Sequence, residues 1–139
     1  MNQNASSPPG SKTTIAPMLC VRRGAKAVEF YKEAFGACEL FRIDSESGEV
    51  VVRLSVSGAE FWVADESHEH QNFSPESLGG GTVRMVMIVD DPDAVFDRAV
   101  AAGATIVWSV DNQYGWRLGR VVDPFGHHWE IGKPLEEGA

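Results

Sequence analysis

Residues 123–132 read DPFGHHWEIG, with two histidines, a tryptophan and a glutamate directly after a turn signal. In a strand, successive side chains point to opposite faces. His128 and Glu130 then share one face, and His127, Trp129 and Ile131 share the other. An imidazole and a carboxylate two residues apart can hold a divalent metal or move a proton. They can equally be a polar pair lining the mouth of a pocket. A protein zinc site takes three or four ligands, so two donors without a visible third favour the polar pair. His68 and His70, in the HEH of a polar stretch, are further candidate ligands, but exposed loops carry such residues freely. Five aromatics, Trp62, Trp108, Tyr114, Trp116 and Trp129, are candidates for core packing or for a pocket that accepts a flat organic molecule. Of these, Tyr114 and Trp116 flank Gly115 in DNQYGWRLG, a polar hairpin at a pocket rim or a packed turn. LGGGT precedes a strand rather than a helix, which argues against a phosphate-cradling loop. The sequence has no nucleophile elbow, and Cys20 and Cys38 sit in apolar patterns expected of reduced, buried thiols.

These residues need a scaffold. Ala27, Phe30, Tyr31, Ala34 and Phe35 recur at helical spacing in AKAVEFYKEAFG, which Gly36 should end. Asp91, Pro92 and the run AVFDRAVAAG predict a second helix with an acidic N-cap, proline in its first turn and a stop at Gly103. TIAPMLCVR, CELFRID, EVVVRLSVS and AEFWVAD read as strands around the first helix. TVRMVMIVD, TIVWSVD, WRLGRVVD and HHWEIG repeat that order around the second. Residues 21–37, VRRGAKAVEFYKEAFGA, align with residues 89–104, VDDPDAVFDRAVAAGA. The chain is therefore an internal duplication with a period of about 68 residues. DPFG is a tight turn, with proline at its corner and Gly126 supplying a positive φ.

The expected fold class is α+β, built as two tandem βαβββ modules. A disordered tail occupies residues 1–12, the first module 13–67, a polar link 68–81, the second module 82–135 and a short tail 136–139. With 139 residues, 43% of them hydrophobic, the chain can bury a core without disulfide or metal staples. Its formal charge of −8 repels phosphate backbones, which argues against a nucleic-acid partner. Its apolar runs are too short for a membrane span, and a cytoplasmic location is expected.

Paired βαβββ modules, with EFYKEAFGA in the first helix and DPFGHHWEI at the last hairpin, resemble the vicinal oxygen chelate superfamily of glyoxalase I, extradiol dioxygenases and bleomycin-resistance proteins. The resemblance covers residues 13–134, and SPESLGGG with AVFDRAVAAGA resembles its PhnB-like branch. It implies sheets curled into a cup, with metal ligands on the first and fourth strand of each module. Those positions fall here at Ala16, Trp62, Arg84 and Glu130, and only the last can ligate. The module order also makes Arg84 and Glu130 cross-strand neighbours, an ion pair or a polar anchor for a ligand. The expected function is metal-independent binding of a small aromatic or amphipathic molecule. Trp62, Arg84, Trp108, Tyr114, Trp116, His128 and Glu130 are the candidate ligand-binding residues, with no cofactor and a homodimer as the assembly. The alternative is a divergent metal-dependent lyase or dioxygenase.

Overall fold

The computed structural model describes residue 10 and residues 12–136. The tail expected at residues 1–12, apart from residues 10 and 12, lies outside the described residues, as do residues 137–139. The elements run β1 (Met18–Val21), α1 (Gly24–Phe35), β2 (Cys38–Asp44), β3 (Val50–Val56), β4 (Ala59–Asp65), a 3-10 turn (His68–His70) and a short α2 (Pro75–Leu78). The second half continues with β5 (Arg84–Ile88), α3 (Pro92–Ala102), β6 (Thr105–Gln113), β7 (Trp116–Val122) and β8 (His128–Pro134). They form two open four-stranded sheets, ordered β1-β4-β3-β2 and β5-β8-β7-β6. In each, the first strand runs parallel to the fourth and the remaining pairs are antiparallel. The α+β architecture of two βαβββ modules is thus observed.

Both helices end as their sequences dictate. Gly36 takes the left-handed conformation (φ 69°) and donates its N–H to the Lys32 carbonyl. Asp91 caps α3 by accepting the Ala94 N–H, with Pro92 in the first turn. The five-residue stripe of α1 is buried throughout. The helix packs on β3 and β4, α3 packs on β6, β7 and β8, and the two helices pack on each other. One continuous core therefore joins the modules within a single chain. It includes Leu54, Val63 and Phe61 from the first sheet and Val121, Trp129 and Ile131 from the second. Each such side chain contributes roughly 1.5–3 kcal/mol of apolar burial.

At the seam Asp123 is 4% exposed and fully partnered. It accepts hydrogen bonds from the Tyr31 hydroxyl (2.5 Å), the Trp129 indole (2.9 Å) and the N–H groups of Phe125 and His127. The DPFG turn is built around this carboxylate, with Gly126 at φ 95°. Burial, reinforced by Asp123, raises the Tyr31 hydroxyl well above its ordinary range, so it stays a donor.

Three expectations change in detail. The first strand is shorter than TIAPMLCVR implies, beginning at Met18, so Ala16 precedes it. The strand of TIVWSVD runs on to Gln113. Cys38 is exposed and Cys20 only partly covered, and each lies on an edge strand of the first sheet.

Candidate functional site

The DPFG turn fixes the register of the hairpin that follows it. Val122 pairs with His128, Val121 with Trp129 and Arg120 with Glu130. Trp129 and Ile131 turn into the core, so His128, Glu130 and Arg120 lie on the outer face. On neighbouring β5, Met85 and Met87 pack against the core, which leaves Arg84, Val86 and Ile88 facing outward. Arg120 Nη2 donates to Glu130 Oε2 at 2.6 Å. Arg84 Nε lies 2.9 Å from the same oxygen. It reaches across diagonally, since the direct partner of Arg84 is His128 and that of Glu130 is Val86. The Arg120 guanidinium also lies over the Trp108 ring, 5.6 Å from its centroid.

The first sheet carries the equivalent row. Met18, Trp62, Arg53 and Phe41 are successive cross-strand neighbours, as Val86, Glu130, Arg120 and Trp108 are in the second. Arg53 lies over Trp62, and Phe41 packs edge-on against that ring at 5.9 Å. The duplication has kept an arginine stacked on a tryptophan in both halves. Only the arginine is the same residue in both rows: Phe41 stands where Trp108 does, Met18 where Val86 does, and the indole of Trp62 in the position of the Glu130 carboxylate.

A cleft of about 530 Å³ opens between β1, the link and the start of β5 and β8. Arg84, Arg120 and His128 line it on one side, and Met18, Phe73, Leu78 and Val83 supply apolar wall. His128 Nδ1 and Arg120 Nε are buried there without a hydrogen-bond partner. Buried polar groups are normally hydrogen-bonded, and Arg53 Nε at the equivalent position of the first sheet is unpaired in the same way. Burial, with Glu66 nearby, raises the thiol of Cys20 in this cleft, which keeps it protonated and a poor nucleophile.

The link holds its place through Glu66. Its carboxylate accepts the Ser74 N–H (2.8 Å) and the Ser77 hydroxyl (2.9 Å), and His68 Nε2 lies 3.2 Å away. Hydrogen bonding by Ser74, then by Ser77 and His68, holds this carboxyl down at about 2. The anchorage sets Phe73 and Leu78 along the cleft. Arg22 also donates to the Ser77 hydroxyl.

The structure thus brings together Arg84, Trp108, His128 and Glu130. Trp62 occupies the matching position on the other sheet. Tyr114 is 96% exposed at the tip of the β6–β7 hairpin. Trp116 pairs with Pro134, four residues along β8 from Glu130, or roughly 13 Å at strand spacing. His68 and His70 stay in the link, where His70 bonds Ser67. Arg120, Phe73 and Leu78 are contributors that the sequence reading did not name.

The residues at these positions do not fit the metal ligation that the resemblance implies. Ala16, Trp62 and Arg84 offer no lone pair for a cation, and Glu130 is already clamped by two guanidinium groups. Among the described residues, no three His, Cys, Asp or Glu side chains are grouped to hold an ion. Likewise, no helix among them is long and apolar enough to cross a membrane.

Comparison with known proteins gives a match over residues 14–131 to the family described as the Glyoxalase/Bleomycin resistance protein/Dioxygenase superfamily. An uncharacterised protein of Mycobacterium tuberculosis is 39% identical over 128 residues, covering 88% of this chain and 75% of its own. The X-ray structure of a gene product from Arabidopsis thaliana superposes with a TM-score of 0.65 at 31% identity, covering 86% of this chain and 96% of that one. A fosfomycin resistance protein from Listeria monocytogenes, solved with Mn(II) and sulfate, shares the fold at a TM-score of 0.67 and 13% identity, with 90% and 94% coverage.

Proposed function

The chain belongs to the glyoxalase/bleomycin resistance protein/dioxygenase superfamily, and within it we propose that this protein binds a small organic molecule without a metal. The observation that carries this reading is the double clamp on Glu130. Arg84 and Arg120 lie 2.9 and 2.6 Å from one carboxylate oxygen, where a divalent ion would need that oxygen for itself. Two fixed positive charges beside it oppose a second cation by simple Coulomb repulsion. Arg84, Arg120, His128 and Glu130 form the polar end of the site, and Trp62 and Trp108 are its aromatic contacts. SPESLGGG and AVFDRAVAAGA support a place in the PhnB-like branch.

The functional unit in this reading is a homodimer. Both outer sheet faces expose apolar side chains, among them Met18, Phe41, Ile43, Val86 and Ile88. Apolar faces of this kind favour association. A two-fold pairing that set the Trp62 face of one copy against the Glu130 face of the other would cover both rows and create two equal sites. Two free cysteines suit a reducing, cytoplasmic compartment.

Elemental analysis of protein purified without chelator tests the metal-free reading. The expected result is far less than one transition metal per chain, with no glyoxalase activity on a glutathione hemithioacetal. Stoichiometric zinc, nickel, manganese or iron that disappears in Glu130→Gln would move the protein to the metal-dependent lyase or dioxygenase reading.

A further inference from the structure

We infer that the ligand is an amphipathic organic acid, one anionic head on an apolar body, seated with its head between Arg84 and Arg120. The inference rests on the small-molecule reading above and names the chemistry of that ligand.

The charge balance of the site comes first. Two guanidinium groups converge on a single carboxylate, so the cluster of Arg84, Arg120 and Glu130 keeps one positive charge uncompensated. Both contacts fall on Oε2 of Glu130. On the first sheet the equivalent arginine, Arg53, faces Glu60 one to one, at 3.7 Å. The excess cation is therefore specific to the second sheet. It sits in a chain whose formal charge is −8. An isolated positive site on an acidic protein holds a small anion and repels other acidic macromolecules.

Buried polar atoms without partners come second. Arg120 spends Nη2 on Glu130 while its buried Nε has no partner. His128, whose strand neighbour is Arg84, has a buried Nδ1 in the same condition. A guanidinium offers its nitrogens as a planar fork that matches the two oxygens of a carboxylate. Facing this polar end across the cleft are Met18, Phe73, Leu78 and Val83, exposed by 48, 41, 65 and 67%. A neutral polar ligand would leave the charge unmet, and a bare inorganic anion would leave the apolar wall wet. One molecule with both characters satisfies the cleft.

The test uses calorimetric titration of the full chain with four probes that share a naphthalene body: 2-naphthoate, 2-naphthyl phosphate, 2-naphthylmethanol and 2-naphthylmethylamine. The acid should bind on the order of tenfold tighter than the alcohol, the worth of one charge-assisted hydrogen bond, and the amine should bind weakest. Comparison of the carboxylate with the phosphate tells which acidic head the site takes. Arg84→Gln, at a half-exposed position, leaves Arg120 paired one to one with Glu130 and should bring the acid and alcohol to within about twofold. Glu130→Gln removes the charge that neutralises one of the two guanidinium groups and should widen the ratio of acid to alcohol affinity. Equal binding of acid and alcohol by the natural protein, or loss of acid binding in a folded Glu130→Gln, would overturn the organic-acid inference and leave the small-molecule reading standing. Failure of all four probes to bind would overturn both.

Discussion

Tyr31 in the first helix donates its hydroxyl to Asp123 in the last turn, joining positions 92 residues apart across the buried seam of the modules. Asp123 also accepts from the N–H groups of Phe125 and His127 in the turn and from the Trp129 indole on β8, so one carboxylate both shapes the β7–β8 hairpin and fastens it to α1. Tyr31→Phe keeps the ring packing and removes a single donor. The carboxylate then stays buried with three donors, and the expected loss is about 1–3 kcal/mol. Asp123→Ala should cost more, since it also frees the N–H groups of Phe125 and His127. Urea unfolding reads both, and an unchanged midpoint in Tyr31→Phe would mean that the seam is held by apolar packing alone.

Glu66 makes the link sensitive to acid. Its native carboxyl titrates at about 2, whereas an unfolded glutamate titrates at about 4.3. Between those values the unfolded chain binds the extra proton, so the contribution of Glu66 is complete above pH 4.3. It is lost as pH falls toward 2. Glu66→Gln should flatten stability against pH in that window. Hydrogen exchange at residues 72–78 should accelerate in the variant at neutral pH, because the anchor of Ser74 and Ser77 is weakened. Equal acid sensitivity in the natural and substituted proteins would assign the effect to other carboxylates.

Much of this arrangement was written in local patterns. The stripe of α1, the Asp91–Pro92 start of α3 and the Gly36 and Gly103 stops each rest on a few neighbouring residues, and each appears in the structure. Arg84 and Glu130 were singled out by the ligand positions that the family resemblance implies, and strand alternation then gave their faces. Arg120 was missed although its signal was present. Counting back from the DPFG turn pairs Val122 with His128 and so Arg120 with Glu130. Phe73 and Leu78 carried no comparable signal, because their position depends on Glu66 reaching over to Ser74 and Ser77, a tertiary event. The packing of α1 against α3 was equally hidden, since both helices show a buried stripe whether their partner belongs to the same chain or another.

The outer faces predict the assembly. Val86 and Ile88 are 61% and 60% exposed on the second sheet, and Phe41 and Ile43 are 45% and 53% exposed on the first. Light scattering should give twice the 15.1 kDa chain mass. Val86→Glu, which adds a charge to this face without touching the core, should shift the particle toward a single chain. A single-chain particle for the natural protein across micromolar concentrations would remove the two-copy site and leave the cleft beside β1 as the complete one.

The last prediction concerns how Glu130 divides its attachment between its two arginines. Sequence reasoning named Arg84 as the partner, and Arg84 does reach the carboxylate, but its side chain is 57% exposed. Water screens that contact, and exposed pairs contribute about 0–1 kcal/mol. Arg120 lies directly across the strand, with side-chain exposures of 22% for it and 13% for Glu130, and it makes the shorter contact. Stacking over Trp108 holds its guanidinium in place, so less side-chain freedom is lost in forming the bond. A double-mutant cycle of Arg120→Met with Glu130→Gln should therefore give a coupling of about 1.5–3 kcal/mol, against at most about 1 for Arg84→Met with Glu130→Gln. Raising the salt concentration should weaken the second coupling more than the first, because the Debye length shortens and the exposed pair feels it most. If the Arg84 cycle gave the larger coupling, Arg84 would be the partner that orients the carboxylate and Arg120 a packing residue over Trp108.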